Sequence, residues 1–459
     1  VLRAIFFIVS IFLFGLTKDL SMQEAWHYVL EHNDGIKAEE LGVKRQEKLT
    51  LGSKLSFLPN IDFSAFYIHL ADPVNIDTTA TKQKIVNTIS SGNGAGTALA
   101  PLFQGALSHI PDQINVIKQD VIVGSLNIIY PLYTGGKRIY AAKIAKLQEV
   151  DANEALRLKK LATFEELTKI YYGVWLQQQI LQTLQDIESG SKNHYENAQK
   201  LQKAGQIAKL EVLSAQVALD KAKNKTKEAQ NALEVSQMAL DLVLGLQNVN
   251  PSSKIIMPHT ALKESEGYFV QKTLDSYPIL KSLDQKILIT KEMKKIEISK
   301  FLPEVTLIGS YFVDNNFLFN QSLPSWYAGI AARMPLVTIG GRIPQIQATK
   351  IAQMQLDKTK SQVSKDMELL VKRTYKEMQF AQEEYWSLDS SIDLAKENLK
   401  LQEKAFAQGL ATSLQVVDAR NALASVLIEQ KSIAYKYIVL LSKLMAVSDS
   451  VSMFYEIQQ

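Results

Sequence analysis

Pro131-Leu-Tyr-Thr-Gly-Gly-Lys137 and Pro335-Leu-Val-Thr-Ile-Gly-Gly-Arg342 read almost alike, and they stand 204 residues apart in a chain of 459. Each follows a strand-like run, and each opens a long stretch without proline. The chain has 12 prolines, yet none lies between Pro131 and Pro251 and none follows Pro344. The same offset of 204 relates Gly205 to Gly409 and Leu210 to Leu414. Upstream, Phe57-Leu58-Pro59 matches Phe301-Leu302-Pro303 at an offset of 244, so the first copy carries 40 extra residues between Pro59 and Pro131. That insertion, roughly 71–118, is rich in Thr, Ser, Asn, Gly and Ala and reads as a surface loop, since it offers little to bury. A break followed by a very long helix-forming stretch, used twice, marks an internal repeat.

From Lys137 to Ala204 the chain is dominated by Ala, Leu, Lys, Gln and Glu, all good helix formers. Phe164, Leu167, Tyr171, Val174, Leu181 and Leu184 form a narrow heptad-like stripe. One continuous helix there would be about 100 Å long. Gly205 and Gly409 then mark turns, and second helical segments follow at Leu210–Leu244 and Leu414–Met445. The reading is two very long antiparallel helical hairpins. A soluble coiled-coil rod has the same pattern, and periodicity alone does not separate the two.

Four strand-like segments bear on that choice. Ile61, Phe63 and Tyr67 alternate with Asp62 and Ser64. Gly124, Leu126 and Ile128 alternate with Ser125 and Asn127. Val305, Leu307 and Tyr311 alternate with Thr306 and Ser310. Trp326, Ala328, Ile330, Ala332 and Met334 alternate with Tyr327, Gly329, Ala331 and Arg333. Each segment has about the 9–11 residues that a tilted strand needs to cross a membrane. Aromatic residues near the ends (Tyr67, Tyr130, Tyr311, Trp326, Tyr327) suit an interfacial girdle. A strand of a soluble sandwich, taken singly, looks the same. Four strands cannot close a barrel, and lipid does not tolerate open sheet edges. Pooling strands from three chains would give about twelve, an even number in the usual range. The sequence therefore points to an oligomer with a shared membrane barrel and long helices.

Composition narrows the chemistry. With 51 basic and 47 acidic residues the formal net charge is +4, so no strong attraction to nucleic acid follows. Cysteine is absent, which excludes disulfides, thiolate metal sites and a cysteine nucleophile. Residues 1–17 have the charge-then-apolar order of a signal peptide, with Gly15-Leu16-Thr17 as the expected cleavage region; if retained, the segment would be a short anchor. His27, His32, His69, His109, His194 and His259 show no metal-ligand spacing. Gly92-Asn-Gly-Ala-Gly96 lacks the Lys-Ser/Thr of a phosphate loop. No cofactor, metal site or enzymatic activity is expected.

The duplication, the paired prolines Pro59, Pro131, Pro303 and Pro335 at strand–helix junctions, the Gly-Gly-basic helix starts and the single glycines Gly205 and Gly409 together resemble the TolC family of outer-membrane efflux proteins. The likeness spans about residues 20–445. It implies a mainly α protein with a membrane β-barrel portion. This would be a homotrimeric channel in the outer membrane of a Gram-negative bacterium, contacting its lipid and extending far into the periplasm. Residues 1–17 would be the signal peptide. Repeat 1 would cover 18–258, with strands about 60–70 and 119–130, a long helix 137–204 and a return helix 210–244. Repeat 2 would cover 259–459, with strands about 304–313 and 325–334, a long helix 342–408 and a return helix 414–445. A mixed girdle would be built from Leu246 to Val270 and the residues after Met445.

The family's helical tips meet a periplasmic adaptor joined to an inner-membrane pump. The matching residues are Gly205, Gln206, Ile207, Gly409, Leu410 and Ala411. The family's acidic pore constriction falls at Gln415 and Asp418 in the second repeat and at Glu211 and Ser214 in the first, so its double acidic ring is thinned here. The tyrosine and arginine that often lock the tip fall at Phe406 and Ala411, which lack the polar groups. The function implied is an exit duct for small molecules or secreted proteins. The competing reading is a periplasmic coiled-coil scaffold or adaptor.

Overall fold

The computed structural model describes residues 18–91, 101, 104–313, 324–336 and 341–458. The expected signal peptide and the glycine-rich stretch at 92–96 lie outside the described residues. The duplication appears at the level of whole elements. Helices α1 (Met22–His32) and α2 (Asp34–Leu55) precede strand β2 (Asn60–His69). Strand β5 (Asp120–Thr134) then leads into α4 (Lys137–Lys203) and α5 (Lys209–Leu244). In the second copy α6 (Glu266–Ser276) and α7 (Pro278–Ser299) precede β7 (Glu304–Phe312), and β8 (Trp326–Arg333) leads into α8 (Arg342–Ala407) and α9 (Ser413–Val447). The lengths match pair by pair. Both α1 and α6 have 11 residues, and both α2 and α7 have 22. Helix α4 has 67 residues against 66 in α8, and α5 has 36 against 35 in α9.

The chain divides into two units. The first comprises Val1–Lys48, Lys146–Ile289 and Ala352–Gln459. Its core takes in four residues of the stripe read from the sequence: Phe164, Leu167, Tyr171 and Val174 of α4 are fully buried, whereas Leu181 and Leu184 are half-buried. They belong to one cluster with Tyr437, Ile438, Leu441, Leu444 and Met445 of α9. Two short strands, β1 (Lys18–Leu20) and β6 (Val249–Pro251), pair in parallel beside this core. The buried Tyr171 hydroxyl donates to the Leu20 carbonyl (2.6 Å) and accepts from the Ser253 N–H (3.0 Å). Phe269 of α6 and Phe454 of α10 (Val451–Ile457) complete the same cluster. A patch of that size is what holds a long helix in place, because helical propensity alone contributes little.

The second unit comprises Leu49–Ala145 and Thr290–Ile351. It holds a four-stranded antiparallel sheet in the order β2-β5-β7-β8. The insertion, expected as loop, contains structure: β3 (Val74–Asp77) pairs with β4 (Gln113–Ile117), and α3 (Thr79–Ser90) lies between them in sequence. Its isoleucines and valines suffice for a hairpin, yet Val74, Ile76, Ile85 and Ile114 stay exposed. Among the described residues no helix is long and apolar enough to cross a membrane.

Candidate functional site

The register of the four-stranded sheet fixes which side chains share a face. Asp62 pairs with Asn127, Asn127 with Ser310, and Ser310 with Tyr327. On this face Asn127 bridges three strands: its Nδ2 donates to Asp62 Oδ1 (3.1 Å), and its Oδ1 accepts from Ser310 Oγ (2.9 Å). Ser64 and Ser125 hydroxyls lie 2.9 Å apart beside them. The opposite face carries Ile61, Phe63, Ile122, Leu126, Ile128, Tyr311, Trp326 and Ile330, all exposed, with Phe63 at 65% and Ile330 at 69%. The Asn127 face also carries exposed Phe66, Ile68 and Ile129, but its hydrogen-bonded polar cluster, set against the largely apolar opposite face, suits water on one side and lipid on the other. Exposed to water, an apolar face of this extent would be an aggregation hazard. Among the described residues the two outer strands, β2 and β8, each have one unpaired edge.

The strand–helix junctions are built twice from the same parts. Arg138 Nη1 donates to the Pro131 carbonyl (2.6 Å), and Arg342 Nη2 donates to the Pro335 carbonyl (2.6 Å). The Arg138 guanidinium lies 4.6 Å from the Phe57 ring centre, and that of Arg342 lies 5.0 Å from Phe301. Each clasp thus joins the Pro-Leu repeat to the Phe-Leu-Pro repeat through hydrogen bond and cation–π contact. The basic residue in register with Arg342 is Arg138, not Lys137. The offset of 204 already relates 138 to 342 and was the signal that would have found it. Pro59 and Pro303 end the Phe-Leu-Pro segments just ahead of β2 and β7, where a missing N–H costs no ladder bond. Gly135 has φ +63°, and a Cβ there would stand 2.7 Å from the Ser299 carbonyl oxygen, so only glycine fits.

Both hairpin tips end their long helix in the same way. Gln206 N–H donates to the Leu201 carbonyl (2.9 Å) and Gly205 N–H to Gln202 (3.0 Å). Leu410 N–H donates to Ala405 (2.9 Å) and Gly409 N–H to Phe406 (3.0 Å). This 6→1 plus 5→2 pattern is a Schellman cap, which needs the left-handed conformation at the glycine. Gly205 and Gly409 both have φ +74°, and no described residue lies within 4 Å of the Cβ either would carry. Ile207 and Ala411 pack partly buried against a small core of Ala198, Ala215, Phe406 and Val416, whereas Gln206 and Leu410 are exposed. Phe406 is therefore a tip-core residue, 2% exposed, with its ring against His194 (centroids 4.5 Å apart).

The tip also holds a polar cluster that sequence reasoning missed. Buried His194 of α4 has Nε2 2.8 Å from Ser413 Oγ of α9. Burial, with some help from nearby Arg420, pulls the His194 pKa down to about 4. Arg420, also buried, donates to Glu403 of α8. Glu211 of α5 accepts from the Ser413 N–H at 2.5 Å, satisfying a free donor at the start of α9. No local sequence signal marks these contacts, since His194 and Ser413 are 219 residues apart.

Of the acidic-ring positions, Gln415 does not reach outward. Its Oε1 accepts from the Thr412 N–H (2.7 Å), closing a capping box at the start of α9. Asp418 is exposed and makes no hydrogen bond or ion pair with the described residues. It borders a groove of about 870 Å³ between α5 and α9, with Leu213, Val217, Leu414 and Val417. Ser214 lines the same groove. Among the described residues no set of His, Asp or Glu side chains is placed to hold a metal ion.

A model of the outer membrane efflux protein family matches residues 112–246 and 270–447. The fold is similar to that of CmeC, an outer-membrane channel of Campylobacter jejuni, with 13% identity, 97% of this chain and 94% of that chain covered, and a TM-score of 0.71. It is similar to VceC, an outer-membrane protein of Vibrio cholerae, with 14% identity, coverage of 93% and 95%, and a TM-score of 0.71. It is similar to the open state of MtrE, an outer-membrane channel of Neisseria gonorrhoeae, with 15% identity, coverage of 94% and 89%, and a TM-score of 0.69. No curated protein matches the chain in sequence. The matched residues include both copies of the long hairpin, and the fold is the internally duplicated TolC-like one, mainly α with four barrel-type strands. The chain belongs to the outer membrane efflux protein family, a family of transport channels.

Proposed function

We propose that three copies of this chain form one channel, each supplying four strands to a shared twelve-stranded barrel. The observation that carries this reading is the sheet itself. It has an apolar exposed face, a hydrogen-bonded polar face and two open edges. Open edges in lipid leave backbone groups unsatisfied, so the sheet must find strands from other copies. The helical hairpins then lie on the periplasmic side, and their tips dock to an adaptor that links the channel to an inner-membrane pump. Gly205, Gln206, Ile207, Gly409, Leu410 and Ala411 are the docking residues. The exposed Gln206 and Leu410 offer side chains, and the two glycines offer bare backbone.

The duct is passive and carries small molecules or secreted proteins, with no enzymatic step of its own. Asp418 is the residue at the periplasmic mouth that acts on passing ions. Glu211 braces α9, and Gln415 caps it. Purified protein reconstituted in planar bilayers should give discrete conductance steps. It should leave cells only with detergent-solubilised outer membrane. Recovery in the soluble periplasm without detergent would favour the scaffold reading instead.

A further inference from the structure

The two edge strands carry opposite charges on one face, Asp62 on β2 and Arg333 on β8. Strand β2 runs antiparallel to β5, β5 to β7 and β7 to β8, so β8 is antiparallel to β2. A second copy can therefore add its β2 to the free edge of β8 in the same antiparallel sense. Asp62 and Tyr327 lie in one row of the sheet, through Asn127 and Ser310, and so share the polar face. Arg333 is on that face too, because side chains alternate and β8 has no bulge against β7. A pairing between copies must keep this parity, or every apolar side chain on one strand would turn to the wrong side.

Register follows from the strand ends. Asp62 lies close to Asn60, where β2 leaves the helical part of the chain just after Pro59. Tyr327 lies much farther from Arg333, where β8 returns toward the helices just before Pro335. The strands thus lean relative to the rows. Copies related by rotation must start β2 at the same height. Meeting end to end, β8 of one copy places Arg333 opposite Asn60 or Asp62 of the next. Both positions bring the Asp62 carboxylate within direct or diagonal reach of a long side chain. Continuing the row unshifted would instead set Tyr327 against Asp62 and leave Arg333 beyond the start of β2. A sheet without stagger does not close into a tilted barrel.

We propose that Arg333 of one copy pairs with Asp62 of the next copy on the polar face, and that this ion pair sets the strand register at the seam between copies. Within its own chain Arg333 stands opposite Glu304. The guanidinium then bridges Glu304 and the neighbour's Asp62, and the Asn127 amide already orients the Asp62 carboxylate (3.1 Å). This rests on the shared-barrel reading.

The chain has no cysteine, so introduced thiols are the sole ones. Asp62→Cys combined with Arg333→Cys, treated with a short bismaleimide in outer membranes, should yield covalent dimers and trimers on denaturing gels. Asp62→Cys combined with Tyr327→Cys should stay monomeric. Crosslinking of the 62/327 pair, or none of the 62/333 pair in protein whose mass in mild detergent is three chains, would overturn the register while leaving the trimer intact. A mass of one chain would overturn both. Charge reversal provides an independent arm. Asp62→Arg or Arg333→Asp alone should lower the fraction of trimer surviving heating several-fold, and the two together should restore it. Failure of the double reversal to recover would also count against the pair.

Discussion

Asp418 shows how a single carboxylate becomes interpretable only with its surroundings. By residue type alone it is one of 47 acidic residues, and only the family resemblance singles it out as a constriction position. In the structure it is exposed, unpaired among the described residues and next to the apolar wall of Leu213, Val217 and Leu414. Three such groups around a narrow mouth would raise the local concentration of cations. Asp418→Asn should therefore lower cation selectivity, read as a shift of the reversal potential in planar bilayers toward zero. Glu211→Gln should shift it less, because that side chain is held on the Ser413 N–H. An unchanged potential in Asp418→Asn would remove the residue from the lumen. His194 makes a second residue-scale prediction. Its folded pKa, about 4, lies below the ordinary histidine value of 6.5. Between those values the unfolded tip binds more protons than the folded one, so stability rises with pH. The tip's full stability is present above about pH 6.5 and falls progressively as pH drops toward about 4, by at most about 3 kcal/mol. Amide protection in the first turns of α9, corrected for intrinsic exchange, should fall over that window. His194→Gln should flatten the response. The His194 contact was not legible in the sequence, because a lone histidine gives no clue to a partner 219 residues away.

At the scale of elements, far more could be read in advance. Long helices declare themselves through composition and missing prolines, and their ends through glycine. The stripe was readable because heptad spacing reports one buried face: Phe164, Leu167, Tyr171 and Val174 are buried, and Leu181 and Leu184 farther along α4 are half-buried. Strand faces were readable because alternation has a period of two, and the observed register keeps each face together. The three-residue strands β1 and β6 were not, since so short a run has no period. The hairpin inside the insertion was hidden by its polar composition. Phe406 resembled a lost pore lock until its burial placed it in the tip core. The tip caps yield a test that separates folding from docking. Nothing crowds the Cβ position at Gly409, so Gly409→Ala pays only the left-handed backbone cost of about 1 kcal/mol. It should leave assembly and export nearly normal in a substrate-resistance assay. Gly409→Glu has a similar backbone cost but projects a charge at the proposed docking surface, and it should abolish export without loss of assembly. Equal export by both variants would show that the tips are not where the adaptor binds.

The whole molecule poses one question that a single chain does not answer: what covers the two free edges of a four-stranded sheet. Both edges belong to strands of eight to ten residues with one exposed apolar face. Such edges template association with another strand unless they are blocked. Family membership places the protein in the outer membrane, where edges must be closed and where copies of the same sheet are the available partners. The internal repeat gives each copy two strand pairs and two long hairpins, so in the proposed assembly rotation of one chain would suffice to build both the barrel and its periplasmic extension. The measurement that bears most directly on this account is the mass of the detergent-solubilised protein by light scattering, with bound detergent subtracted. The account predicts three chains per particle, and a stable single-chain particle that still conducts in planar bilayers would contradict it.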